Sequence, residues 1–179
     1  MRLFIAIDLP KKIKDELALI SFGLPQARWV QPEQLHLTLR FIGEVDGALF
    51  QELKSALALV SGSSFPLLLQ GLGCFPPRRD PRVLWVGIEE SAELMKLRKK
   101  VDSCLGKLGF PPEQRKFSPH ITLARTAKTP LTRVVRFLGD HALFRLPEFV
   151  VSNFHLYSST LTPKGALYRH EVDYLLMKV

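Results

Sequence analysis

The sequence predicts an α+β fold built as two pseudo-symmetric lobes from an internal duplication. Three observations carry this expectation. A four-residue pattern occurs twice, as His36-Leu37-Thr38-Leu39 and, 84 positions later, as His120-Ile121-Thr122-Leu123. The elements read from periodicity fall in one order on both sides: strand, helix, motif strand, helix, strand. A second landmark keeps the same offset, since Phe65 and Phe149 open corresponding strands 84 positions apart. Two copies do not make a solenoid. They make two related lobes, with antiparallel-rich sheets around a central groove and helices on the outer faces. Residues 1–179 are read as one such domain, with approximate halves 1–80 and 81–179 between which strands can exchange.

The elements follow from local chemistry. Met1–Asp8 reads as a buried strand. Pro10 suits a helix start, and Ile13, Leu17 and Ile20 form a helical stripe that Gly23 and Pro25 end. Leu35–Ile42 is the first motif strand, closed by Gly43. Asp46 caps a helix with Phe50, Leu53, Leu57 and Val60 inward. Phe65–Leu72 and Val83–Ile88 are strands, the second rich in β-branched and aromatic residues. Ser91 caps a longer helix with the stripe Leu94, Leu97, Val101, Leu105 and Leu108, stopped by Gly109 and Pro111. Phe117–Ala124 is the second motif strand. Thr129-Pro130 opens a helix with Leu131, Val134, Val135 and Leu138 inward. Phe149–Tyr157 and Ala166–Met177 close the fold, joined by a loop at Thr162-Pro163-Lys164-Gly165.

Composition narrows the class. Apolar residues make up 46% of the chain, enough for a substantial core and against disorder. The formal net charge is +8, and it is uneven: residues 1–89 carry +1 and residues 90–179 carry +7. A basic second half points to an anionic partner, nucleic acid first among them. Cys74 and Cys104 form no CxxC pair, which excludes a zinc ribbon or a thioredoxin-type motif. They are expected as reduced core thiols of a cytoplasmic protein. The apolar run Leu3–Ile7 is too short for a signal peptide or a membrane span, so no membrane partner is expected.

The repeated pattern carries the chemistry. On a strand, side chains alternate faces, so His and Thr two apart share one face, roughly 7 Å apart, while the apolar residues between them point into the core. Made twice, this gives two imidazoles and two hydroxyls on accessible faces. An imidazole titrates near neutrality, so one can take a proton from water while the other donates to a leaving oxygen. The Thr38 and Thr122 hydroxyls can hold non-bridging phosphate oxygens. A single strand histidine is more often structural; two in matching positions of a duplicated architecture argue for function. No carboxylate stands beside either motif histidine, so no metal is expected there. His141, His155 and His170 show no metal-ligand spacing, and His155 is expected in a structural role although it could face the groove with Tyr157. Arg40 follows its motif on the face of His36 and Thr38 by alternation. Arg125 falls on the opposite parity to His120 and Thr122 unless the strand bulges or ends there. Either could grip phosphate as a bidentate fork. Arg78, Arg79 and Arg82 stand among Pro76, Pro77 and Pro81 as a basic turn or an RNA-backbone contact.

These residues resemble the two-histidine (2H) phosphoesterase superfamily, and more closely its RNA 2′,3′-cyclic phosphodiesterases, long labelled 2′-5′ RNA ligases. The resemblance runs through nearly the whole chain. It includes Arg2-Leu3-Phe4-Ile5-Ala6-Ile7, His36 through Gly43, Gly71-Leu72-Gly73-Cys74-Phe75-Pro76 and Val83-Leu84-Trp85-Val86-Gly87. It continues in Ser118-Pro119-His120-Ile121-Thr122-Leu123-Ala124-Arg125 and Leu156-Tyr157-Ser158-Ser159 with Gly165 and Tyr168. It implies a two-lobed fold with both motif strands at a central cleft, and metal-independent opening of a terminal 2′,3′-cyclic phosphate to a 2′-phosphate. It further implies His36 as proton donor to the 3′-oxygen, His120 as proton acceptor from water, Thr38 and Thr122 on phosphate oxygens, and Arg125 as a further phosphate contact, with Arg40 the weaker candidate. The expected partner is RNA or an oligonucleotide with a 2′,3′-cyclic phosphate end, with free cyclic nucleotides as a second substrate class. No cofactor is expected, and the protein is expected to be a monomer. The reverse reaction, a 2′-5′ RNA ligase activity, would use the same site, and a non-catalytic RNA-binding module is the remaining alternative.

Overall fold

The computed structural model describes residues 1–77, 79–162 and 165–177. Arg78 and the Pro163-Lys164 step of the expected closing loop lie outside the described residues. In chain order the elements are β1 (Arg2–Asp8), α1 (Lys11–Ile20), β2 (Arg28–Trp29), a 3₁₀ turn (Pro32–Gln34), β3 (His36–Glu44), α2 (Gly47–Leu57), β4 (Phe65–Leu67) and β5 (Leu69–Phe75). They continue with β6 (Val83–Ile88), α3 (Ala92–Lys107), β7 (His120–Arg125), α4 (Leu131–Asp140), β8 (Phe149–Val151), β9 (Asn153–Thr162) and β10 (Gly165–Leu175).

The helices begin where their caps dictate. Asp46 accepts the Leu49 amide at 2.8 Å and Ser91 accepts the Leu94 amide at 3.2 Å, each satisfying a donor that has no partner inside its helix. Helix α3 buries Leu94, Leu97, Val101 and Leu105 as one stripe. Helix α4 departs from its expected stripe. Val134 and Phe137 are buried, whereas Leu131 and Val135 are exposed, because Phe137 turns the buried face about one position around the helix.

The main sheet runs β10-β9-β1-β3-β7-β6-β5, and β2 adds to β7. Every pairing in it is antiparallel. Neither lobe is a contiguous half of the chain. The C-terminal strands β9 and β10 lie with β1 and β3, while β5 lies with β6 and β7. Between the two motif strands the ladder narrows to one registered pair, Leu37 with Ile121. As β3 diverges beyond it, β2 takes its place on β7, pairing Arg28 with Arg125 and Trp29 with Ala124.

Two expected strands each divide. Phe65–Leu72 becomes β4 and β5, and Phe149–Tyr157 becomes β8 and β9, broken at Leu68 and Ser152. The leading pieces leave the main sheet and pair with each other, Phe65 with Val151, Pro66 with Val150 and Leu67 with Phe149. Pro66 lacks an amide hydrogen, so a short two-stranded ribbon accommodates it better than a central strand. The duplication offset maps this ribbon onto itself, just as it maps Leu37 onto Ile121. One pseudo-two-fold axis therefore passes through both the Leu37–Ile121 pair and the Pro66–Val150 pair.

All four helices contribute to one continuous core against one face of the sheet, with Leu37, Leu39, Ile121 and Leu123 each at most 1% exposed. The opposite face carries the motif histidines. Cys74 and Cys104 are free, and burial raises both thiol pKa values, which disfavours the thiolate form. Among the described residues no helix is long and apolar enough to cross a membrane.

Candidate active site

The Leu37–Ile121 pair fixes the site. In antiparallel register the residues flanking it face one another crosswise: His36 lies opposite Thr122, and Thr38 opposite His120. All four are half-buried, and Leu37, Leu39, Ile121 and Leu123 next to them are fully buried. The structure thus gathers both imidazoles and both hydroxyls about the pseudo-two-fold axis, on the face turned away from the helices.

Each imidazole is held in the same way. His36 Nδ1 lies 2.7 Å from the Gln34 carbonyl, and His120 Nδ1 lies 2.7 Å from the Ser118 carbonyl. A carbonyl oxygen can only accept, so Nδ1 is the protonated nitrogen in both rings. That leaves Nε2 of each ring without a protein hydrogen bond among the described residues. A neutral Nε2 accepts a proton and a protonated one donates, so the geometry fits either role at either position.

Aromatic side chains brace the two rings differently. Phe4 lies 5.0 Å from His36, Tyr168 meets it edge-on at 5.1 Å, and Tyr157 stacks on Phe4 at 5.1 Å. Phe75 meets His120 edge-on at 5.1 Å, and Trp85 packs on Phe75 at 5.1 Å. Trp85 lies directly over Gly73, where any Cβ would overlap the indole. A cavity of about 410 Å³ opens beside His36, lined by Asp8, Glu33, Gln34, Leu35, Tyr157, Tyr168 and His170 as well. Alternation alone does not reveal these aromatic supports, because a strand with apolar residues on both faces reads as fully buried.

Both arginine expectations turn on one feature. The pairing of β3 with β1 skips Leu39, and that of β7 with β6 skips Leu123, so each motif strand carries a β-bulge at the same place. A bulge adds one residue and inverts the alternation beyond it. Arg40 is therefore not on the face of His36 and Thr38. It is buried on the helix side, where it donates to the Pro111 carbonyl and sits 3.4 Å from Glu113. Arg98 completes this cluster, 2.7 Å from Asp102 and 2.6 Å from Glu113. Arg40 holds β3 to α3 and to the segment before the second motif, and does not reach the cleft. The same bulge does the reverse for Arg125. It restores that residue to the face of His120 and Thr122, exposed, beside Arg28 across the β2 pairing. Arg82 joins the same end of the lobe through its carbonyl, which accepts the Thr126 amide at 3.0 Å. Arg79 is exposed.

Burial lowers the His36 pKa below its ordinary 6.5; the bond to the Gln34 carbonyl and the charge of Asp8 oppose this, while Lys14 adds to it. The native state therefore favours neutral His36. As pH falls through about 6.5 the unfolded chain takes up this proton first, so stability is lost between there and the lower native value. Thermal melts from about pH 7.5 to about pH 5 should show a falling Tm. The slope should be shallower in His36→Gln; an unchanged slope would remove His36 from the account.

Comparison with known proteins bears on this geometry. The LigT like Phosphoesterase family model matches twice, over residues 7–85 and 86–168, one match for each copy of the pattern. The chain is 34% identical over 172 residues to a protein of Archaeoglobus fulgidus named RNA 2′,3′-cyclic phosphodiesterase, covering 94% of this chain and 97% of that one. It is 39% identical over 175 residues to the protein of the same name from Thermotoga maritima, covering 94% and 92%. The crystal structure of E. coli LigT complexed with 3′-AMP superposes with a TM-score of 0.80 at 28% identity, covering 98% of this chain and 97% of that one.

Proposed function

The chain belongs to the LigT-like phosphoesterase family, and from that premise we propose that its cleft opens the terminal 2′,3′-cyclic phosphate of RNA to a 2′-phosphomonoester. The observation that carries this reading is the matched pair of imidazoles, each tied through Nδ1 to a backbone carbonyl and each with Nε2 free. Hydrolysis of a cyclic phosphodiester needs one group to accept a proton from water and another to give one to the departing oxygen.

In this reading His120 Nε2 takes the proton from water as its oxygen attacks phosphorus. The bond from phosphorus to the 3′-oxygen breaks, and His36 donates its Nε2 proton to that oxygen. Thr38 and Thr122, crossed about the axis, donate to the non-bridging oxygens, and Arg125 offsets the charge that grows there. Desolvation of His36 fits its role as donor. A lowered pKa makes the imidazolium a stronger acid, and the phosphate anion, once bound, supplies the opposite charge that favours protonation. Phe4, Tyr157 and Tyr168 keep that ring fixed and largely dry. The basic excess of residues 90–179 suits a polyanionic substrate.

The purified protein, incubated with an oligonucleotide ending in a 2′,3′-cyclic phosphate, tests the proposal. Conversion to a phosphomonoester should survive exhaustive chelation, because protons, hydroxyls and arginine carry every step. Binding without turnover would leave an RNA-binding module. Loss on chelation with recovery on adding magnesium or zinc would point to a metallohydrolase instead.

A further inference from the structure

Outside the catalytic pair, a second group of side chains converges on the β9–β10 ribbon. His155, His170 and Asp173 each present a ligand atom, and these three atoms lie within 4.8 Å of one another. Asp173 Oδ1 stands 3.0 Å from His155 Nδ1 and 3.2 Å from His170 Nε2. We propose that His155, His170 and Asp173 form a binding site for one borderline divalent transition-metal ion of the zinc class, using neither catalytic histidine and bordering the cavity beside His36 that His170 lines.

The convergence depends on a bulge. Across the ribbon His155 pairs with Asp173 and Tyr157 pairs with His170, and the register shifts between His170 and Val172. Residues three apart on a regular strand point to opposite faces. The extra residue, Glu171, brings His170 and Asp173 onto the face of His155. The ligands come from two strands, so no spacing along the chain announces them.

The donor set and its spacing select the ion. Two imidazoles and one carboxylate suit zinc, cobalt or nickel and not calcium or magnesium, which take oxygen ligands. Metal–ligand bonds of about 2.0–2.1 Å in a tetrahedron place neighbouring ligand atoms roughly 3.3 Å apart, close to the two separations seen here. His155 is a fixed anchor, its side chain only 5% exposed. His170 and Asp173 are exposed, so the outer coordination position is open to water. Bound there, the ion replaces the His155–Asp173 hydrogen bond and the His170–Asp173 contact, and clamps β10, the edge strand of the sheet, to β9.

Cobalt(II) serves as probe, because its visible absorption intensifies in tetrahedral nitrogen–oxygen coordination. Chelator-stripped protein titrated with cobalt(II) should saturate at one equivalent, and zinc should displace the signal and raise Tm. Asp173→Asn and His170→Ala should each weaken cobalt binding at least tenfold, and His120→Ala should leave it within twofold. Metal-free melting of each variant confirms its fold, and the exposed His170 position serves if Asp173→Asn is unstable. Three results would overturn the proposal: no saturable binding at millimolar cobalt, binding unchanged in both ribbon variants, or binding lost in His120→Ala instead.

Discussion

Replacing either motif histidine with alanine should cost turnover on the order of 10²–10⁴, the usual size of one general acid or base contribution. His36 and His120 are equally well held, each by a carbonyl two residues before it, but they occupy different steps. Loss of either breaks the proton relay. The double variant should therefore be little worse than the worse single one, because residues acting as a unit are not additive. Single-turnover rates on a 2′,3′-cyclic substrate measure this directly. A folded His120→Ala protein with unimpaired turnover would remove the two-imidazole mechanism. Thr38→Ala and Thr122→Ala should weaken turnover less, since each withdraws a hydrogen bond to phosphate and leaves the proton path intact.

Leu37→Ala should destabilise the protein by about 2–5 kcal/mol, the range for emptying a fully buried leucine site. That corresponds to a Tm lowered by roughly 5–15 °C for a domain of this size. Leu37 and Ile121 are both 0% exposed and form the one registered pair between the motif strands. The same change should lower turnover in protein that remains folded, because His36 and His120 are aligned through this pair. Ile121→Ala should behave alike, and the double variant should show coupling, as the two side chains share one contact. Denaturant melts showing a loss below about 1 kcal/mol would mean that the lobes are held together elsewhere.

Much of this was legible in the chain because it rests on short-range rules. The alternation of His-Leu-Thr-Leu separates a polar face from a buried one, and Leu37, Leu39, Ile121 and Leu123 are buried as that requires. Asp46 and Ser91 cap the helices they precede. The 84-residue offset carries the duplication. What was hidden depends on pairing between distant segments. The bulges at Leu39 and Leu123 arise in pairing with the neighbouring strands β1 and β6, and they send Arg40 under the sheet and Arg125 to the exposed face of His120. The divisions at Leu68 and Ser152 follow from β4 finding β8. Asp102 and Glu113, which hold Arg40 and Arg98, sit on a helix and a loop that no local signal links to the first motif. The aromatic supports Phe4 and Trp85 read locally as core residues. They become walls of the site only when the sheet turns one face away from the helices.

The position of phosphate on the product tests the central claim most directly. Phosphorus NMR of the product from a 2′,3′-cyclic substrate, made by chelator-treated protein, distinguishes the two phosphomonoesters. A 2′-phosphate is expected, with the 3′-oxygen released and protonated by His36. A 3′-phosphate would contradict it by reversing the substrate's orientation between His36 and His120, and an unchanged cyclic phosphate would contradict the proposed activity itself.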